Sequence, residues 1–280
     1  MVRTLVWSAF SVTLALALSA CGGSKASGPP QGLTVTATDA ALQLTGAQAL
    51  HSGLVTITVR NSGKGAHALL ISRLKKPLTE KQIISTLDNN KIQAIQSAFE
   101  AKGGIPDVPP GTFWQETVDL EPGSYVLADY GYNGNKFNYQ RGLIKKIDVA
   151  AGGPQAAPPK TVGKIELKDF AFDISLPKPF HGQGVVEIPN TGGQPHELTL
   201  VSTPPGRKPK DVLAIVHSAA TAPPGGYAVH KVLALLDPGN TAYVRFDLPP
   251  GHYVALCLIV DPKQKKVHAD LGQVGEFDVS

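Results

Sequence analysis

Short apolar runs separated by turn residues recur along the whole chain. Within each run β-branched and other apolar residues dominate, and Gly, Pro, Asn or Asp bounds the run on either side. This pattern is typical of the strands of an all-β chain. We predict strands at residues 33–38, 54–61, 67–72, 113–120, 124–129 and 143–149, and again at 165–167, 184–188, 196–202, 241–248, 252–260 and 268–279.

The hydrophobic spacing becomes helical once in each half, between the third and fourth predicted strands. Thr79 and Glu80 precede an apolar series at mixed helical spacing that ends at Phe99, and residues 211–216 show the pattern more briefly. Antiparallel strands with one helical insertion per half favour a Greek-key sandwich or barrel. The predicted fold class is therefore all-β.

An internal repeat with a spacing of about 130 residues divides the chain into two similar parts. The segment NSGKGAHALLIS at residues 61–72 is similar to NTGGQPHELTLVS at residues 190–202, and LEPGSYV at 120–126 is similar to LPPGHYV at 248–254. We predict two tandem domains, 33–150 and 161–280. Residues 151–160, which are rich in Gly and Pro, are the predicted linker.

The N-terminus has the features of an export signal. Residues 1–20 place Arg3 before an apolar run and then small residues. The stretch Leu-Ser-Ala-Cys-Gly around Cys21 resembles the lipobox of bacterial lipoproteins, which implies a lipid on Cys21. The resemblance implies an extracytoplasmic protein of the bacterial cell envelope, attached to the membrane through this lipid, with residues 21–32 as a flexible tether.

Charge excludes one class of partner. The formal net charge is +4, and the lysines are spread along the chain instead of forming one patch. Such a distribution is typical of a solvated surface, so we expect no nucleic acid partner.

The second cysteine, Cys257, needs a separate explanation. If Cys21 carries a lipid, Cys257 has no cysteine with which to pair, because the chain has only two. An unpaired thiol outside the cytoplasm is exposed to oxidation unless something protects it. His268 follows Cys257, and Gln273 follows five residues later, whereas His196 opens a predicted strand far upstream.

Taken in order, these residues resemble the cupredoxin family. The pattern is a His at the start of a strand, then Pro-Gly-X-Tyr, then Cys, His and a residue five positions later, followed by the last strand VGEFDV at 274–279. The resemblance implies two cupredoxin-like domains with one mononuclear copper ion in the second. It implies His196, Cys257 and His268 as strong ligands and Gln273 as the weak axial ligand, the donor set of blue-copper sites.

The chain departs from the family at two places. Ten residues separate Cys257 from His268, where cupredoxins usually have two to four. A four-residue turn at 261–264 would place Cys257 directly opposite His268 in a hairpin, with Cβ atoms about 4.5–5.5 Å apart. The second departure is Glu197, where many cupredoxins have an Asn whose backbone bonds the ligand sulfur.

The first domain lacks the metal pattern. Alignment of the two copies places Asp129, Asn138 and Leu143 at the positions of Cys257, His268 and Gln273, so that only His67 remains. A type 1 copper site requires a thiolate, and we therefore predict no copper in the first domain.

The predicted function is one-electron transfer with redox protein partners, without enzymatic activity. Two-domain copper enzymes need His-X-His pairs or a His beside the ligand Cys, and this chain has neither. The alternative is a metal-free pair of β-sandwiches that binds a protein or cell-envelope ligand, in which Cys257 is simply a buried core thiol.

Overall fold

The computed structural model of the chain describes residues 28–89, 91–153, 155–218 and 224–280. The predicted signal at 1–20 and the predicted lipidation site Cys21 lie outside the described residues. The longest helices in the described part have nine residues. None of them is both long and apolar enough to span a bilayer.

The first half consists of short strands with one helical insertion, as predicted. Its elements are β1 (Gln31–Ala37), β2 (Leu42–Thr45), β3 (Gly53–Asn61), β4 (His67–Leu74), α1 (Glu80–Asp88), α2 (Ile92–Ala98), β5 (Phe99–Val108), β6 (Phe113–Leu120), β7 (Gly123–Asp129), β8 (Tyr132–Asn133), β9 (Lys136–Phe137) and β10 (Ile144–Val149). Thr79 caps α1 by accepting a hydrogen bond from the backbone of Gln82, whose side chain accepts one from the backbone of Thr79.

The second half has the same alternation. Its elements are β11 (Gly163–Lys168), β12 (Ala171–Ser175), β13 (Gln183–Pro189), β14 (His196–Thr203), α3 (Pro209–His217), β15 (Ala228–Leu236), β16 (Thr241–Asp247), β17 (Gly251–Leu256) and β18 (Val274–Val279). Three short 3-10 helices lie at Ala47–Ala49, Asn138–Arg141 and His268–Leu271. The chain is thus all-β, with a helical insertion in each half.

Two central strands were not predicted. The helical pattern that was expected to reach Phe99 forms α1 and α2 and ends at Ala98, and β5 begins at the next residue. β5 contains Gly103, Gly104 and Pro106, residue types that weaken a strand. Its extended form is stabilised by pairing with β4 and β15 on either side. β15 was likewise missed.

The predicted strand at 268–279 is wrong over its first half. His268–Leu271 form a 3-10 helix and Gly272 has a φ of 113°, so that β18 begins only at Val274. A left-handed backbone interrupts extended structure and favours glycine. The strand predicted at 252–260 also ends early, at Leu256.

In the described part of the chain, β8 and β9 pair only with each other, and the other strands form two eight-stranded sheets to which both halves contribute. One has the order β12-β11-β13-β16-β6-β3-β1-β2, and the other has the order β10-β7-β4-β5-β15-β14-β17-β18. The halves join where β6 pairs with β16 and where β5 pairs with β15. Each half is therefore hydrogen-bonded to the other along both sheets.

One apolar core runs between the sheets and through both halves. The core is built from strands whose side chains alternate between buried and exposed. In β1, for example, Leu33, Val35 and Ala37 are buried, whereas Thr34 and Thr36 between them are partly exposed. Each fully buried Leu or Val contributes about 1.5–3 kcal/mol relative to an exposed one. The core thus holds the sheets together and sets the ends of β14 and β17 close to each other.

Equivalent loops in the two halves are held by equivalent hydrogen bonds. Asn61 Nδ2 donates to the Val108 carbonyl at 2.7 Å, and Asn190 Nδ2 donates to the Leu236 carbonyl at 2.8 Å. Both asparagines are almost fully buried. Each bond ties the loop before β4 or β14 to the end of β5 or β15, so the residue that opens the strand has a defined position.

A buried carboxyl group lies where the halves meet. Glu116 pairs through its backbone with Val244 of the other half, and its side chain is directed into the core beside Gly103. In the described part of the chain, no side chain donates a hydrogen bond to its carboxyl oxygens. Burial raises the pKa of Glu116 to about 8, and the nearby Gly104 backbone offsets this only partly.

Glu116→Gln should raise stability in a pH-dependent way. The unfolded chain ionises near the ordinary pKa of 4.5, whereas the folded chain stays protonated until about 8. Wild-type stability should therefore fall between these values relative to the variant, by at most about 1.4 kcal/mol per pH unit. Urea unfolding of both proteins at pH 4 and pH 8.5 checks this. A difference that is the same at both pH values would contradict it.

Candidate metal centre

Three metal-ligating side chains meet at one end of the second half. His196 is the first residue of β14, Cys257 directly follows β17, and His268 opens the last 3-10 helix. All three are completely buried. Their ligand atoms all lie within 4.8 Å of one another, and they form the one such group of His, Cys, Asp or Glu found in the described residues.

The distances within the cluster fit ligands of a single ion. Cys257 Sγ lies 3.8 Å from His196 Nδ1 and 3.6 Å from His268 Nδ1. The two Nδ1 atoms are 3.1 Å apart. Ligands that share a metal through bonds of about 2.0–2.3 Å are typically separated by about 3–4 Å. Both imidazoles turn the same nitrogen toward the thiol, which leaves each Nε2 on the outside of the cluster.

Gln273 completes the wall of the site. It follows Gly272, is fully buried, and lies close enough to both imidazoles to oppose the lowering of their pKa values. Its Nε2 is 3.5 Å from the Ala171 carbonyl, and its Oε1 has no hydrogen-bond partner in the part of the chain described. A buried amide oxygen without a partner is costly, and a metal ion is one group that could satisfy it.

Glu197 keeps a backbone contact with the sulfur despite the changed residue type. Its backbone N–H donates to Cys257 Sγ at 3.5 Å. Its side-chain Oε1 accepts a hydrogen bond from the Leu258 backbone at 3.1 Å. One contact is made at the Cys257 sulfur and the other at the backbone of the next residue. Together they fix the orientation of the segment that carries Cys257.

The expected hairpin register is wrong, although its consequence is observed. Val260 bridges to Val267, and the His268 N–H donates to the Ile259 carbonyl at 2.8 Å, so Cys257 and His268 are not directly opposed. The Cys257 carbonyl instead accepts from Ala269 N–H at 2.9 Å. The 3-10 helix then brings the His268 ring back to the thiol.

Burial sets the protonation states of the cluster. It lowers the pKa of His196 and of His268, which favours neutral imidazoles with a free lone pair. It raises the pKa of Cys257 to about 12, against the hydrogen bond from Glu197. The thiol therefore keeps its proton unless a metal ion displaces it.

Two further residues border the site and were not predicted. Asp169 Oδ1 lies 3.1 Å from His196 Nε2, and the edge of the Phe170 ring packs on His268 with centroids 5.4 Å apart. The repeat contained a signal for Asp169, since Asp39 occupies the matching position in the first half. No pattern in the sequence pointed to Phe170, which has a left-handed φ of 60°.

The corresponding place in the first half holds a different cluster. Asp129 accepts a short hydrogen bond from His67 Nδ1, and Asn138 Nδ2 donates to the same carboxylate at 3.2 Å. Leu143 is buried at the position of Gln273. Here hydrogen bonds to a carboxylate join the loops, in agreement with the alignment that placed Asp129 and Asn138 opposite Cys257 and His268.

Comparison with known proteins shows distant similarity to copper proteins of known structure. No protein-family model matches the chain, and no curated protein matches it. The structure of dithionite-reduced auracyanin from the photosynthetic bacterium Roseiflexus castenholzii matches 44% of this chain and 99% of its own, with 16% identity and a TM-score of 0.30.

Two other solved structures show the same range of similarity. Auracyanin B matches 44% of this chain and 91% of its own, with 23% identity and a TM-score of 0.27. A multicopper oxidase matches 89% of this chain and 88% of its own, with 14% identity and a TM-score of 0.25. These similarities concern the fold alone, and the evidence for a metal lies in the side chains.

Substitution of the two equivalent histidines, one at a time, should show which half of the chain binds copper. His196→Ala should lower bound copper strongly, because it removes one ligand of the cluster. His67→Ala should leave bound copper unchanged, because His67 pairs with Asp129. Metal content after copper loading and desalting, measured by mass spectrometry, checks both variants. An equal loss in the two would show that the metal does not bind at the His196 cluster.

Proposed function

We propose that this chain is a cupredoxin-like copper protein that transfers single electrons through one mononuclear, type 1-like copper ion in its second half. The observation that supports this most strongly is the buried cluster of His196, Cys257 and His268, whose ligand atoms lie 3.1–3.8 Å apart. Two imidazoles and a thiolate with a weak axial oxygen suit copper that cycles between two oxidation states.

The residues of the chain hold the ion and keep the site closed. His196, Cys257 and His268 would supply the strong bonds, and Gln273 Oε1 the axial oxygen. All four side chains are completely buried, so water is excluded from the position that the ligand atoms surround. When bound, copper would supply one-electron chemistry. Held by β14, β17 and the 3-10 helix, the ligands would need little rearrangement between oxidation states.

A role as an enzyme is less well supported, although distant structural neighbours include an oxidase. The whole chain has no His-X-His pair, and Ala255, Leu256 and Leu258 flank Cys257. It therefore lacks the histidines that would hold a second copper or carry electrons to it. Substrate would also have no access to the buried cluster.

A tandem duplication accounts for the first half. The bonds of Asn61 and Asn190 support it, because each joins the same loop to the same strand end. The first half would then be a copper-free scaffold in which Asp129 and His67 have replaced the metal. Its pairing with the second half along both sheets gives it a structural reason to persist.

Location completes the proposal. Export through residues 1–20 and a lipid on Cys21 would place the protein on the extracytoplasmic face of a bacterial membrane, within reach of redox protein partners. We propose no nucleic acid partner. The alternative function is a metal-free lipoprotein that binds a protein or envelope ligand.

Visible and paramagnetic spectroscopy of the copper-loaded protein tests the function. A copper–thiolate bond should produce an intense visible band in the wild type. Cys257→Ser should abolish this band, because serine cannot form that bond. His67→Ala serves as the matched control and should keep it. Copper bound without any such band, or a preference for zinc, would contradict the proposal.

Substitution of the axial residue should change the reduction potential. Gln273→Met replaces an amide oxygen by a thioether sulfur, which stabilises Cu(I) better than oxygen does. The potential should therefore rise while the visible band persists. Voltammetry of both proteins checks this, and an unchanged potential would show that Gln273 is not an axial ligand.

A further inference from the structure

We propose that Asp169 is a positioning residue for the metal centre, which holds the His196 ring in its metal-binding orientation and lowers the reduction potential of the bound ion. This inference rests on the copper function proposed above. It concerns a contact on the outer side of the cluster.

The contact determines which His196 nitrogen is free for a metal. A carboxylate can only accept hydrogen bonds, so the Nε2 atom 3.1 Å from Asp169 Oδ1 must carry the proton. In a neutral imidazole this leaves the lone pair on Nδ1. Nδ1 is the atom that faces Cys257 and His268. The carboxylate thus selects the tautomer that the cluster requires.

Asp169 is itself held firmly by the loop that leads to His196. The backbone N–H of Gly193 donates to both carboxylate oxygens, at 2.9 and 3.0 Å. The Gln194 N–H donates to Oδ1 at 3.2 Å. No Lys or Arg among the described residues forms an ion pair with Asp169, so within that part of the chain no basic side chain competes with His196 for the carboxylate.

Gly192 makes room for the contact. A Cβ atom at this position would lie 2.5 Å from Asp169 Oδ1 and 2.7 Å from His196 Nε2. At such distances some atom must shift, and the backbone nitrogen of Asp169 also lies only 2.9 Å from the same Cβ position. A side chain at this position would therefore displace the carboxylate or the imidazole, whereas glycine leaves their contact intact.

The first half supplies an internal comparison. Asp39 occupies the same position there, but its Oδ1 lies 4.0 Å from His67 Nε2. His67 instead uses Nδ1 for its bond with Asp129. The loop and the aspartate are present in both halves, whereas the close contact occurs beside the candidate metal centre.

A negative charge at this place should favour the more highly charged ion. A carboxylate that accepts the outer N–H of a ligand histidine increases the basicity of the ring and tunes the metal. It therefore stabilises Cu(II) more than Cu(I). Asp169 is 42% exposed, so salt screens part of this effect.

Asp169→Asn isolates the charge. The Asn side chain can still accept the hydrogen bond from Nε2 but carries no charge. The ratio of Cu(II) to Cu(I) affinity should fall about tenfold, which for one electron raises the potential by about 59 mV. The visible band should persist. Asp39→Asn is the matched control, and its potential should equal that of the wild type.

The possible results separate this inference from the proposed function. An unchanged potential in copper-loaded Asp169→Asn, or an equal shift in Asp39→Asn, would overturn the inference and leave the function intact. A wild type that binds no copper would overturn the function. Nitrogen NMR of the metal-free protein then still tests positioning: His196 should carry its proton on Nε2, and a mixture of tautomers in the wild type would refute the role of Asp169.

Discussion

The burial of the Cys257 thiol against two imidazoles is the constraint on which the rest of the second half depends. Polar groups removed from water need partners, and the cost of leaving them without any is about 1–3 kcal/mol each. Here the thiol sulfur and the two Nδ1 atoms contact mainly one another. Among the described residues, Gln273 Oε1 and His268 Nε2 have no hydrogen-bond partner. An ion at the centre would satisfy the atoms that face it and would displace the thiol proton. The surrounding loops, including the Glu197 contact to the sulfur, keep these side chains in place.

The two halves satisfy the same requirement in different ways. In the first, the buried Asp129 carboxylate accepts hydrogen bonds from His67 and Asn138, so the loop after β7 is joined to the start of β4 by protein groups alone. In the second, Cys257 cannot act as a comparable charged partner because burial keeps its thiol protonated. A bound cation would favour the thiolate by displacing its proton. The sheets run continuously through both halves, so the first half contributes strands to the framework on which the candidate metal centre is built.

The sequence predicted much of this structure, and the failures have identifiable causes. Strands such as β3 and β6 were located closely because their apolar residues alternate and turn residues bound them. β5 was missed because Gly103, Gly104 and Pro106 are residue types that rarely occur within strands, and pairing with β4 and β15 stabilises the extended form. The four residues His196, Cys257, His268 and Gln273 were predicted from the resemblance of their order to the cupredoxin pattern, and the structure brings them together. The loop between Cys257 and His268 could not be predicted, because Asp261 accepts hydrogen bonds from the backbone of its own turn and shifts the register.

The most direct test of the central claim is the position of copper in the protein. Crystals of copper-loaded residues 28–280 should be measured with X-rays on both sides of the copper absorption edge. Our account predicts a single anomalous peak within bonding distance of Cys257 Sγ and of the Nδ1 atoms of His196 and His268, with no peak beside His67. A fully loaded protein without a peak among these three atoms, or with its only peak elsewhere, would contradict the account.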